Sequence, residues 1–219
     1  MRTSSWRRCS DGGGSMAEST ERVVDIWCED LGHESVVTTL VGRVIREFDL
    51  DRVRIEVKNG QGGSSRVIAE FRSWQRAILR GGLGARPDVL IMIVDANSHG
   101  YAARKNELRK AVLHDLFPHV VIGCPDPHVE SWLLLDPKAF ASVTGSPPVA
   151  TRPRGGEDPK GLFHACVAES GVHVLTGPME LAPDLIEAMD LDMACRQDHS
   201  LAVFIQELRA ALKLLRTVG

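Results

Sequence analysis

Pro87-Asp88-Val89-Leu90-Ile91-Met92-Ile93-Val94-Asp95 is the most apolar stretch of the chain, and it stops on a carboxylate. Val89 to Val94 shows no alternation of polar and apolar side chains and is rich in β-branched residues, the pattern of a strand buried on both faces as in parallel sheets. Working outward, Arg22 to Cys28 and Val53 to Val57 read as strands on the amino-terminal side, and Val120 to Cys124, closed by Pro125 and Pro127, reads as a strand on the other. Between them Glu34 to Phe48, Val67 to Leu79 and Tyr101 to Leu113 place apolar residues at helical spacing, and Asn59-Gly60-Gln61-Gly62-Gly63 and Gly81-Gly82 interrupt the elements. Strand and helix alternate from Arg22 to Cys124. That alternation predicts an α/β fold with an open, Rossmann-like parallel sheet flanked by helices.

After Pro127 the rhythm changes. Val129 to Leu135 reads as a short helix, and Ser142 to Asp158 is a Pro- and Gly-rich loop. Lys160 to Ala168 and Leu201 to Leu215 read as helices, the second with an apolar stripe at Leu201, Phe204, Ile205, Leu208, Leu212 and Leu215. The expected organisation is a disordered lead-in over residues 1–19, an α/β core over 20–136, and a loop and helical carboxyl-terminal part over 137–219 that caps the sheet edge or meets a partner. Asp11-Gly12-Gly13-Gly14-Ser15 has linker composition, and either Met1 or Met16 could initiate the chain.

With 219 residues, 43% hydrophobic and 25% charged, the chain has the balance of an ordinary globular protein, and no apolar run approaches the roughly 20 residues needed to cross a bilayer. Five cysteines without a C-x-x-C pair exclude a zinc ribbon and a disulfide framework, and they suit a reducing cytoplasm. A net charge of -3 gives no global attraction to nucleic acid, so any such contact must be local or metal-mediated.

Ligands of doubly wound sheets sit at the carboxyl ends of the strands, and here the first and third strands end on acids: Glu29-Asp30 and Asp95-Ala96-Asn97. Two carboxylates about 4 Å apart repel by roughly 4 kcal/mol at an effective dielectric near 20, so such a cluster needs a cation or a proton between them. Hard oxygen donors favour Mg²⁺ or Mn²⁺. These acids also have ordinary structural roles. Glu29 and Glu34 suit a helix N-terminus, Asp95 a cap or turn, Asn97 a left-handed turn, Glu130 a helix start, and Trp132 the core. Arg72, Arg76 and Arg80 form a stripe that is ordinarily a solvated face. Asn59 to Gly63 lacks the Lys-Ser/Thr of a phosphate-binding loop. His33, His99 and His128 fall in loops on the same edge without zinc-ligand spacing.

Cys28-Glu29-Asp30-Leu31-Gly32-His33-Glu34 resembles the C-E-G-x-x-T-E opening of RloB-like Toprim proteins, with Asp30 in place of the glycine. Val94-Asp95-Ala96-Asn97 is similar to the second Toprim motif, an apolar strand ending in D-x-D, with Asn97 in place of the second aspartate. Pro127-His128-Val129-Glu130-Ser131-Trp132-Leu133-Leu134-Leu135 resembles the E-x-W-L-L segment of the same group, and Glu157-Asp158-Pro159-Lys160 echoes an E-x-P-K segment. The resemblance covers Arg22 to Asp136. It implies a Toprim fold and Mg²⁺- or Mn²⁺-dependent hydrolysis of a DNA or RNA phosphodiester, related to the OLD-type nucleases. Glu29, Asp95 and Asn97 would hold the metal, and Glu34 or a metal-bound hydroxide would act as base. Lys160 would steady the developing charge, with Lys138 and Arg104 as alternatives, and Glu130, His99 and Arg104 would meet substrate. It further implies work in bacterial anti-phage defence beside an ABC- or AAA-type ATPase, with the final helix as docking face, and allows a homo-oligomer. The replacement of an acid by Asn97 removes one charge and leaves a second expectation open, a non-catalytic Toprim-scaffold subunit of an ATPase complex.

Overall fold

The computed structural model describes residues 21–60, 62–82, 86–153 and 158–217. The expected lead-in over 1–19, both candidate start sites and Glu157 lie outside the described residues. Four strands, β1 (Arg22–Cys28), β2 (Val53–Asn59), β3 (Val89–Ile93) and β4 (His119–Gly123), pair in parallel in the order β2-β1-β3-β4. Helices α1 (Leu31–Glu47), α2 (Ser64–Leu79) and α3 (Tyr101–Ala111) make the crossovers. The α/β class and the parallel sheet flanked by helices are therefore as the sequence pattern predicts.

Handedness explains where each helix lies. Parallel crossovers are right-handed, so a crossover that moves one way along the sheet covers one face and a crossover moving the other way covers the opposite face. The step from β1 to β2 puts α1 on one face. The steps from β2 to β3 and from β3 to β4 run the other way and put α2 and α3 on the second face. Side-chain alternation follows this division. Val24, Ile26, Cys28, Val89, Ile91, Ile93 and Val121 share a core with α1, while Trp27, Leu90, Met92, Val94 and Ile122 share the other with Phe71 and Leu108.

One consequence concerns the carboxyl-terminal part. With α1 over β1 and β2, no crossover helix covers the first face at β3 and β4. That gap is filled by the segments after Pro127: α4 (Glu130–Leu133), α5 (Pro137–Thr144), α6 (Pro159–Ser170), α7 (Ala182–Ala188), α8 (Leu191–Gln197) and α9 (His199–Thr217). Leu201, Phe204, Ile205, Leu208 and Leu212 of α9 are buried in the same core as Ile91, Ile93 and Val121. Each such side chain contributes roughly 1.5–3 kcal/mol by leaving water. A Cβ on Gly123 would stand 2.9 Å from Ile93 and 3.0 Å from Phe204, so the close approach of α9 to the end of β4 requires glycine there. Trp132 is fully buried against Phe204, ring centroids 5.7 Å apart, and its indole N–H donates to Ser200 Oγ at 2.9 Å. Helix α9 also caps the sheet edge, since Glu207 Oε2 accepts the Ile122 N–H at 3.3 Å. The apolar stripe of α9 is thus occupied within the chain, against the sheet. Phe140, Phe163, Leu185 and Phe204 are buried in the same core as Ile26, Leu40 and Ile91.

Local chemistry shifts several boundaries. Asp30 caps α1 by accepting the His33 N–H, so the helix starts at Leu31. Asp136 caps α5 through the Lys138 and Ala139 N–H groups, so residues 142–144 of the expected Pro- and Gly-rich loop are helical. No described helix is long and apolar enough to cross a membrane.

Candidate functional site

Strand order reverses between β1 and β3, because β2 follows β1 on one side and β3 lies on the other. The crevice outside their carboxyl ends is where open α/β sheets bind ligands. Glu29 follows β1 and Asp95 follows β3, so the two acids predicted to act together do meet there. The Asp95 N–H donates to Glu29 Oε1 at 3.0 Å.

A cleft of about 560 Å³ opens beside them, lined by Glu29, Asp30, Gly32, Gly62, Gly63, Glu130, Lys160 and Met179 among others. Its volume is in the range of small-ligand sites. Glu130 is held at the start of α4, 4% exposed, and its carboxylate lies 3.6 Å from Lys160 Nζ. Lys160 projects from the first turn of α6, where Asp158 caps the helix and Pro159 opens it. Helix α2 enters the same cleft by its N-terminus. Gly63 at its N-cap has φ +81°, a conformation that favours glycine, and no side chain caps the helix or places an acid in its first turn. The amides of that turn and Lys160 are the features of this wall that attract anions.

Asp95 does not open into this cleft as a free ligand. It is 6% exposed and both its oxygens are engaged. Oδ1 accepts the Val129 N–H at 3.0 Å and lies 2.9 Å from His33 Nε2, while Oδ2 lies 3.0 Å from His128 Nδ1. His33, 3% exposed, has its other nitrogen, Nδ1, 2.9 Å from Asp30 Oδ1. Burial alone would lower the pKa of His33, but the hydrogen bonds and charges of Asp30 and Asp95 outweigh it and raise it from 6.5 to about 10. The bond from His33 holds Asp30 well below the usual carboxylate range. Burial pushes Glu29 upward, the charge of Asp95 adds to the shift, and His33 opposes it.

The remaining predicted residues are placed as follows. Asn97 has φ 49°, the left-handed turn expected of it, and its Nδ2 donates to Asp95 O at 3.4 Å. Glu34 faces the second strand, where its Oε2 accepts from Asn59 Nδ2 at 2.6 Å, and it does not line the cleft. Arg104, expected to meet substrate, is 3% exposed and secures the loop after β3. Its Nε donates to Asp95 O at 3.0 Å, one terminal nitrogen to Glu107 at 2.6 Å, and the other lies 3.2 Å from His99 Nδ1. His99 is exposed and, with Lys138, lies away from the cleft lining.

The ligand set expected for Mg²⁺ or Mn²⁺ does not fit a divalent ion in this arrangement. Mg²⁺ keeps several of its waters and is held through one or two protein carboxylates, each of which must offer it a free oxygen. Asp95 instead presents its oxygens to two imidazoles and an amide, Glu29 Oε1 accepts an amide, and Asn97 turns its amino group inward.

The sequence puts His33 and His128 on this edge without marking a role for either. A signal for His33 existed: it stands three residues after a capping aspartate, the spacing at which a side chain reaches back to the cap. Its second partner, 62 residues away, had none. No family model, curated protein or solved structure matches this chain.

Proposed function

We propose that the protein is a nuclease of the Toprim kind that hydrolyses a phosphodiester of DNA or RNA at the cleft between the ends of β1 and β3. The observation that carries this reading is the convergence on one cleft of Glu29, Glu130, Lys160 and the uncapped N-terminus of α2. An anionic phosphodiester would meet the α2 amides and the Lys160 ammonium. Glu29, with its pKa raised by burial, suits general acid–base work, accepting a proton from the attacking water as the new P–O bond forms. The ester P–O bond then breaks, the leaving oxygen takes up a proton from solvent water, and Glu29 returns its proton to solvent. Asp95 and His33 hold the loop after β3 in place.

The resemblance in the strand-end motifs extends the proposal to a cytoplasmic role in bacterial anti-phage defence beside an ATPase, and to a homo-oligomer. These rest on analogy and not on the cleft. The test is incubation of the purified protein with plasmid and with RNA, in EDTA, Mg²⁺ and Mn²⁺, beside a Glu29→Gln variant. Cleavage by the unaltered protein that the variant lacks is the expected outcome. Equal degradation by both would remove the assignment.

A second reading is a non-catalytic Toprim-scaffold module of an ATPase complex. The engagement of both Asp95 oxygens inside the chain favours it. Its signature is retardation of nucleic acid, or none, without cleavage in any of the three conditions.

A further inference from the structure

Asp30, Glu29 and Asp95 crowd the ends of β1 and β3, and the group lodged between two of them is the buried ring of His33. A neutral imidazole has one N–H and one bare nitrogen. The bare nitrogen would then face a carboxylate oxygen at 2.9 Å, lone pair against lone pair, whichever tautomer is chosen. Donation from both nitrogens satisfies both contacts, and donation from both makes the ring a cation. Its placement is fixed by the backbone as well, since Asp30 Oδ1 also accepts the His33 N–H at 3.0 Å. His128 and the Val129 N–H take the remaining approaches to Asp95.

We propose that His33 is a resident cation supplied by the protein at the position between the strand-end acids where a divalent metal would otherwise be held, and that Asp95 is a positioning residue for His33, His128 and the loop at Val129. A divalent ion approaching Asp95 meets a positive charge already in hydrogen-bond contact with the same oxygen, so removing the ring, and not adding ligands, is what opens Asp95 to metal. The inference stands on hydrogen-bond geometry and holds or fails independently of the phosphodiester reading, because metal binding is read without turnover.

The experiment is a Mn²⁺ titration of the full chain, followed by the electron paramagnetic resonance signal of free Mn²⁺, on the unaltered protein and on Asp95→Asn, His33→Ala and His33→Ala/Asp95→Asn. The unaltered protein and Asp95→Asn should bind alike, with no Asp95-dependent site in the millimolar range. His33→Ala should gain a site at least about 10-fold tighter that the double variant loses. Mn²⁺ binding by the unaltered protein that Asp95→Asn abolishes would overturn the proposal, and this arm stands even where His33→Ala does not fold. A folded His33→Ala protein with no gain would overturn it equally.

Discussion

Replacing Asp95 by Asn keeps the shape of the side chain and removes its charge, which separates two roles for that residue by stability alone. As a metal ligand in metal-free protein, Asp95 would repel Glu29 and Asp30, and neutralising it would be neutral or stabilising. As the counter-ion of a buried imidazolium it must be destabilising to lose. Breaking a buried pair by removing one partner costs about 3–5 kcal/mol. His33 keeps Asp30 at 2.9 Å, and an asparagine oxygen can still accept the Val129 N–H, so the lower end, about 3 kcal/mol, is expected. Urea unfolding in EDTA at pH 7 should show this as a midpoint lowered by roughly 1 M, with an unchanged slope. A pH series adds a sign. The folded pKa of His33 lies above its ordinary value, so its contribution is fully present below about 6.5 and is lost as pH rises through about 10. The gap between the two proteins should therefore narrow from pH 8 to pH 11. An Asp95→Asn protein as stable as the unaltered one in EDTA, or more so, would refute the reasoning.

Glu29→Gln should lower kcat by about 10²–10⁴ in a cleavage assay, with unchanged circular dichroism, if Glu29 is the acid–base group. Because burial raises the Glu29 pKa, the acid limb of the rate profile should lie above that of an exposed glutamate, activity falling as pH drops through the raised value. Phe204→Ala should cost about 3–5 kcal/mol in urea unfolding, since Phe204 packs on both Trp132 and the end of β4. Ser200→Ala leaves the buried Trp132 N–H without its acceptor and should cost about 1–3 kcal/mol by the same measurement. A chain ended at Asp198 should fail to show cooperative unfolding, because it uncovers Ile91, Ile93 and Val121.

Much of this fold is legible in the sequence. An unbroken apolar run from Val89 to Val94 is intelligible as a strand covered on both faces, and the alternation of periods around it leads to a parallel sheet with acids at the ends of its strands. Glu29 and Asp95 could be nominated because position just past a strand is a local property. The structure brings Glu29 and Asp95 into contact and sets Glu130 and Lys160 in the cleft that Glu29 lines. The roles of Arg104 and Glu34 could not be told in this way. An arginine that meets substrate and one that ties down a loop look the same in a one-dimensional string.

What only the tertiary structure decided is how opposite charges and open faces are matched across long separations. Periodicity records which side of an element is apolar, but not what lies against it. So the stripe on α9 reads equally as a docking face or a lid, until the crossover handedness leaves β3 and β4 uncovered on one side and α9 fills that space. The same holds for His33. Its neighbour Asp30 is written three residues before it, while Asp95, the partner that completes its charge, reaches it because β1 and β3 lie side by side at the point where the strand order reverses.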